Sequence, residues 1–208
     1  MFHDETDPHP DEPRGPGRPR EFDLGEALDK AIGVFSERGY HATSLSRLTA
    51  SMGIAEGSLY KAFKDKRGVF IAAFERYVRL RNEHLAQALA SAPTGRDKIR
   101  TVLSVYAEAS HGPTGRRGCL VVGSAVDLAS SDPEMARRVT ASFDAHETRF
   151  IDFIGQGQKD GSISSDIDPI VTARLLLSVV QGMRVLGKTS RSREEMAALA
   201  QSALKMLD

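Results

Sequence analysis

Between Thr43 and Phe63 the chain gathers hydroxyls, an acid, small residues and cations at spacings suited to holding a nucleic acid rather than to making bonds. Glu56, Gly57, Ser58, Tyr60 and Lys61 fall on one side of a short predicted helix, and Thr43, Ser44 and Arg47 stand at the start of the segment before it. A small, polar and basic helix face is what a DNA major groove admits, with side chains at the base edges and hydroxyls and ammonium groups on the flanking phosphates. On that division Glu56, Gly57 and Ser58 are candidates for base edges. Thr43, Ser44, Tyr60, Lys61 and Lys66 are candidates for phosphates, and Arg47 for either. Catalysis has no comparable constellation. GxSxG, Walker A, HExxH and CxxC spacings do not occur, which removes the common signatures of hydrolases, phosphate-binding loops and zinc sites. No enzyme activity and no cofactor are expected. Cys119, His84, His111 and His146 are the soft or imidazole groups of the larger part, at separations too irregular to imply a metal site. A metal- or thiol-responsive role for them is the alternative to a structural one.

The elements that must position the contact residues are written in the apolar spacing. Leu45, Leu48 and Met52 recur at helical intervals, Gly53 interrupts, Ile54 follows, and Leu59, Ala62 and Phe63 begin a second stripe. This is helix, tight turn, helix, with glycine where the turn needs a positive φ. An ordinary helical hairpin is the alternative reading of the turn taken alone. Upstream, Asp23 and Glu26 resemble a capping box ahead of Leu24, Leu28, Ala31, Ile32 and Phe35, and Gly39 ends that helix. Downstream, Asp65 caps a long fourth helix carrying Val69, Phe70, Phe74, Tyr77, Val78, Leu85 and Leu89. Lys66 lies in its first turn, where free N–H groups and the helix dipole already favour phosphate.

The stretch GIAEGSLYKAFKDKRGVF, preceded by GYHATSLSRL, resembles the DNA-binding domain of the TetR family of transcriptional regulators. The residues that carry the likeness are Gly39, Tyr40, Thr43, Ser44, Gly53, Ser58, Leu59, Tyr60, Phe63, Lys66 and Phe70. Ala55 departs from the pattern, since relatives often place a capping serine or threonine there, so the third helix begins with a weaker cap. The basic arm Gly17-Arg18-Pro19-Arg20 also fits the family. Proline stiffens it, and Arg18 and Arg20 suit a narrow, electronegative minor groove; a solvated basic tail is the other reading. The resemblance implies a homodimer on a palindromic double-stranded operator, usually repressing, released by a small-molecule effector and dimerised through the last two helices. An activator or dual regulator, or a ligand-binding or interaction protein of the same fold, are the alternatives.

Composition sets the outer limits. Of 208 residues, 28 are basic and 28 acidic, so net charge gives no global attraction to nucleic acid. From Gly17 to Arg81, however, 12 Lys/Arg face 8 Asp/Glu, which puts the basic surplus with the proposed reading head. One cysteine excludes an internal disulfide framework. No leader precedes the fold and no apolar run approaches the roughly 18 residues of a membrane span, so a cytoplasmic protein without a membrane partner is expected.

The expected architecture is all-α with about nine helices, because the apolar periods are helical throughout. Residues 1–16 are acidic, proline-rich and almost free of apolar groups, and are expected to be disordered. Residues 17–66 form the helix-turn-helix domain with its arm, and residues 67–208 a helical ligand-binding and dimerisation domain. In the latter, Thr94 and Asp97 open a helix with Ile99, Val102, Leu103 and Tyr106, and residues 111–115 read as a loop. CLVVGSAVDLA is apolar nearly all round and is expected to be buried. Asp132-Pro133 and Asp168-Pro169 start two more helices, and Ser192 with Glu195 forms a capping box for the last. Tyr77, Tyr106 and His146 interrupt apolar stripes beside Phe74, Leu103, Phe143 and Phe150. These seven residues are the candidate lining of an effector cavity, with core packing as the alternative.

Overall fold

The computed structural model describes residues 23–208; Arg18, Arg20 and the proposed tail and arm lie outside the described residues. Three short helices and the start of a fourth make the head: α1 Leu24–Arg38, α2 Leu45–Met52, α3 Glu56–Phe63 and α4 Lys66–Leu89. The caps explain the starts. The side chains of Asp23, Ser44 and Asp65 each accept the backbone N–H three residues on, whereas Ala55 offers α3 no such bond. Gly53 ends α2 at φ 71°, ψ 33°, a left-handed conformation that would strain any residue with a Cβ. Ala31, Phe35, Leu48, Met52, Leu59, Val69, Phe70 and Phe74 bury together, so α2 and α3 are held at a fixed angle over α1 and α4.

The body continues through α5 Gly95–Glu108, α6 Gly112–Arg117, α7 Leu120–Asp127, α8 Pro133–Asp160, α9 Pro169–Leu186 and α10 Arg193–Leu204. Residues 112–117 are therefore a short helix where a loop was expected, since Pro113 preorganises the first turn and Gly118 closes it. Asp132, Asp168 and Ser192 cap α8, α9 and α10, and the Ser192–Glu195 capping box is complete. Ile99, Leu103, Phe150, Ile154, Leu176, Val180 and Met196 form the body's core. At Gly95 the backbone of α5 meets that of α8 at Phe153 and Gly157, too closely for any Cβ.

Two sequence expectations need correction. The α7 segment is not buried all round: Leu120, Val121, Ser124 and Leu128 face inward, but Val126 is 76% exposed. Eight residues make just over two turns, and only one side can meet α1, α4 and α8. The second concerns α9, whose extension over Pro169–Thr189 has a mean hydropathy of 1.4, enough by length and composition for a membrane span. It packs on α8 and α5, buries Arg184, and leaves an apolar stripe of Val171 (60% exposed), Leu175 (48%) and Val185 on the outside.

The head is not separate from the body. Leu120, Val121, Met135 and Val139 of α7 and α8 pack into the same apolar cluster as Phe70 and Phe74. A polar clamp reinforces this junction, with Arg67 of α4 reaching Asp132 at 3.1 Å and Glu134 at 2.8 Å, and Arg138 bridging Glu134 and Glu75.

Candidate nucleic-acid interface and effector cavity

The head places most of the proposed contact residues on one open side. Glu56, Gly57, Tyr60 and Lys61 are exposed on α3, Ser58 is half-buried there, and Ser44 and Arg47 are exposed at the start of α2. Leu59 points the other way and is fully buried, which fixes the helical phase and aims the polar residues outward. Ser44 Oγ accepts the Arg47 N–H at 3.3 Å and lies 3.5 Å from Ser46 Oγ, a long contact that a phosphate oxygen could replace as acceptor of the Ser44 hydroxyl.

Two phosphate assignments change. Thr43 is 1% exposed and donates its hydroxyl to the Gly39 carbonyl at 2.7 Å, so the side chain braces the turn after α1 and cannot reach DNA. Lys66 donates from Nζ to the carbonyls of Tyr40 at 3.1 Å and Thr43 at 3.0 Å, and lies 4.2 Å from the centre of the Tyr40 ring. Its ammonium thus spends two of three N–H donors inside the protein. The same charge tied to this turn keeps a cation near the proposed phosphate track.

Of the seven cavity candidates the structure brings five to one region. A narrow chamber of about 20 Å³ is lined by Tyr77, Tyr106, Phe143 and His146, together with Arg81 and Gln181. It adjoins an open groove of about 560 Å³ between α4 and α8, to which Phe74 contributes and which shares Val78, Asn82, Ser142 and His146 with the chamber. Leu103 and Phe150 do not line it. Each lies about a turn along its helix from Tyr106 or His146, and both are buried in the body's core.

Hydrogen bonding fixes the chamber's polarity. Arg149 Nη1 lies 3.1 Å from His146 Nδ1, and a guanidinium can only donate, so Nδ1 accepts. Nε2 then carries the proton and donates to Tyr106 Oη at 3.0 Å, so Tyr106 keeps its own O–H for another acceptor. Burial, then the charges of Arg149 and Arg81, hold His146 neutral with a pKa lowered to about 4. Tyr77 donates to Cys119 Sγ at 3.4 Å, while burial and the neighbouring thiol raise the pKa of its phenol. Sequence reasoning passed over Arg81 and Arg184. Arg184 had a signal: it is the only charged residue between Arg174 and Lys188 in an otherwise apolar run.

An exposed helix-turn-helix with a polar recognition face, packed on a larger helical body, defines a DNA-binding regulator. The family described as bacterial regulatory proteins, tetR family, matches residues 27–73, and the family described as tetracyclin repressor-like, C-terminal domain, matches residues 95–203. The chain is 28% identical to the HTH-type transcriptional repressor ComR of Escherichia coli (strain K12), over 91% of each chain. It is 28% identical to the uncharacterized HTH-type transcriptional regulator YezE of Bacillus subtilis (strain 168), over 92% of this chain and 100% of that one. Among solved structures, a cysteine mutant of the TetR family transcriptional regulator CifR with 26-bp operator DNA has a TM-score of 0.81 at 31% identity, covering 90% of this chain and 98% of CifR. The chain belongs to the TetR family of transcriptional regulators.

Proposed function

We propose that this regulator represses transcription by binding a palindromic operator as a homodimer, and that a small molecule in the groove between α4 and α8, with the Tyr106–His146 chamber at its inner end, releases it. Residues 17–66, with the arm at Arg18 and Arg20, read DNA, and residues 67–208 hold effector and dimer contacts. The observation that carries this reading is the phase of α3, which buries Leu59 and presents Glu56, Gly57, Ser58, Tyr60 and Lys61 together. ComR, named as a repressor, and CifR, solved with operator DNA, support the direction of control and the partner. The place of action is the cytoplasm, where the DNA is, and regulation rather than catalysis is the activity.

The dimer rests on α9 and α10. Val171, Leu175 and Val185 on α9 and Leu199 on α10 are exposed at about helical intervals, an apolar surface that a second copy's matching pair would cover as a four-helix contact. The effector reading rests on the Tyr106–His146 pair, which offers a hydroxyl donor at the inner end of a groove with apolar walls. A ligand there bears on α4, the helix that begins at the head. It needs only to favour the non-binding arrangement by about 3 kcal/mol for more than a hundredfold release.

A gel-shift titration against DNA upstream of the chain's own gene tests the proposal. Two chains per duplex at nanomolar affinity in moderate salt is the expected result; binding no tighter than to random DNA would reject it. Once an inducer is found, Tyr106→Phe and His146→Gln are expected to weaken its effect, and two wild-type responses would move the pocket elsewhere.

A further inference from the structure

Arg184 is 1% exposed and has no acidic side chain paired with it among the described residues. Nη2 donates to the Gly118 carbonyl at 2.7 Å and Nη1 lies 3.4 Å from Ser110 Oγ, but Nε has no hydrogen-bond partner. A buried guanidinium without a counter-charge is costly, and an anion beside it would offset that cost. A cavity of about 290 Å³ between the end of α1 and α7 is lined by both Arg184 and Cys119. Cys119 stands at the N-cap position of α7, where its sulfur makes no cap bond to the helix, and it accepts the Tyr77 hydroxyl at 3.4 Å. We propose that the half-buried Cys119 and the buried Arg184 form a thiolate–guanidinium pair, and that this thiolate is a covalent sensing site for small soft electrophiles such as α,β-unsaturated carbonyl compounds.

The electrostatics agree with the geometry. Burial would raise the thiol pKa, but the Arg184 charge, the Tyr77 hydroxyl and the Arg81 charge outweigh it and bring it below the ordinary value. In the reaction the thiolate attacks the β-carbon and the S–C bond forms. The C=C electron pair moves to the carbonyl oxygen as an enolate, which takes a proton from water. No oxidant is needed. The product is a neutral thioether, so Arg184 loses its counter-charge at the point where it anchors Gly118 ahead of α7. The cavity that receives the adduct is also lined by Phe35, Gly39 and Tyr40 of the head, and the Tyr40 carbonyl is one that Lys66 holds. An adduct there bears directly on the turn that positions α2.

The coupling to DNA rests on the regulator reading above, whereas the thiolate pair does not, and two measurements separate them. Alkylation by iodoacetamide is followed against pH in the native chain and in the same chain unfolded in urea, which contains the same single cysteine. The native rate profile should have the lower midpoint, and Arg184→Gln should move it up towards the unfolded value. Should that variant not fold, Tyr77→Phe is expected to move it in the same direction. A native midpoint at or above the unfolded one, an unreactive native thiol, or a midpoint indifferent to the variants that fold would overturn the pair. For the coupling, duplexes are first selected from a random pool by untreated protein. Addition of one N-ethylmaleimide, verified by mass, should lower affinity for them at least about tenfold, and Cys119→Ser should show no change on treatment. An adduct that leaves affinity intact removes the sensing role. Failure of untreated protein to select any duplex overturns the regulator reading and the sensing role with it, and leaves the pair to stand or fall on the alkylation profile.

Discussion

Lys66 and Tyr40 are joined twice: the ammonium donates to the Tyr40 carbonyl at 3.1 Å and also lies 4.2 Å from the centre of the Tyr40 ring. With the second bond to the Thr43 carbonyl, this one side chain ties the start of α4 to the turn that launches α2. Lys66→Ala is therefore expected to cost about 2 kcal/mol of stability, the scale of hydrogen bonds to a charged donor. Chemical denaturation measures it. Unchanged stability would return Lys66 to the role of a simple phosphate contact.

Lys61 is exposed on α3 and serves as the contrast. Lys61→Ala should leave stability within about 0.5 kcal/mol, weaken binding to all sequences alike, and reduce the slope of log affinity against log salt by about one. Anisotropy titrations at several salt concentrations give both numbers. A shifted sequence preference at constant slope would assign Lys61 to base edges instead.

The dimer surface separates two leucines. Leu199 is 40% exposed on α10, whereas Leu204 packs against the body's core and lies beside Leu103, Ala107 and Ala200. Leu199→Glu and Leu175→Glu should give folded monomers by analytical ultracentrifugation, with operator affinity falling steeply because a single head holds half of the site. Leu204→Glu is expected to destabilise the chain itself by roughly 3 kcal/mol, since a charge enters a packed site. If Leu199→Glu and Leu175→Glu both remain dimers, the interface lies elsewhere.

The head was legible because its constraints are local. Caps at Asp23 and Asp65, the glycine at 53 and the Leu59 phase are each set by a few neighbouring residues, and the absence of a cap at Ala55 was equally readable, whereas the Ser44 cap was passed over in favour of a phosphate role. What a side chain does with its polar atom was less legible, because that depends on partners far along the chain. Thr43 and Lys66 had the right chemistry for phosphate, but the Gly39, Tyr40 and Thr43 carbonyls take their donors. In the body, helical phase alone could not say which neighbour of Tyr106 or His146 faces the chamber, so Leu103 and Phe150 were drawn in from the core. Arg184 and Cys119, 65 residues apart, come to line one cavity through the packing of α7 against α9.

His146 gives the chamber a pH signature. Its folded pKa is lowered to about 4 from an ordinary 6.5, so the unfolded chain takes up the proton first as pH falls. The stability its neutral form contributes is fully present above about 6.5 and is lost between there and about 4, with an upper bound of about 3 kcal/mol. His146→Gln should flatten the fall in stability between pH 7 and 5, measured by urea denaturation. A mutant as pH-sensitive as wild type over that interval would show that His146 is not buried neutral.

The central claim is that two copies of the α3 face read a symmetric site, and selection from a random pool of duplexes, followed by sequencing, tests it most directly. The account predicts an inverted repeat with half-sites about one helical turn of DNA apart, roughly 34 Å. It further predicts that Glu56→Ala or Ser58→Ala relaxes preference at matched positions of both halves while Lys61→Ala leaves the motif intact. Enrichment of no motif, of an asymmetric single site, or of one unaltered by changes at both Glu56 and Ser58 would contradict it.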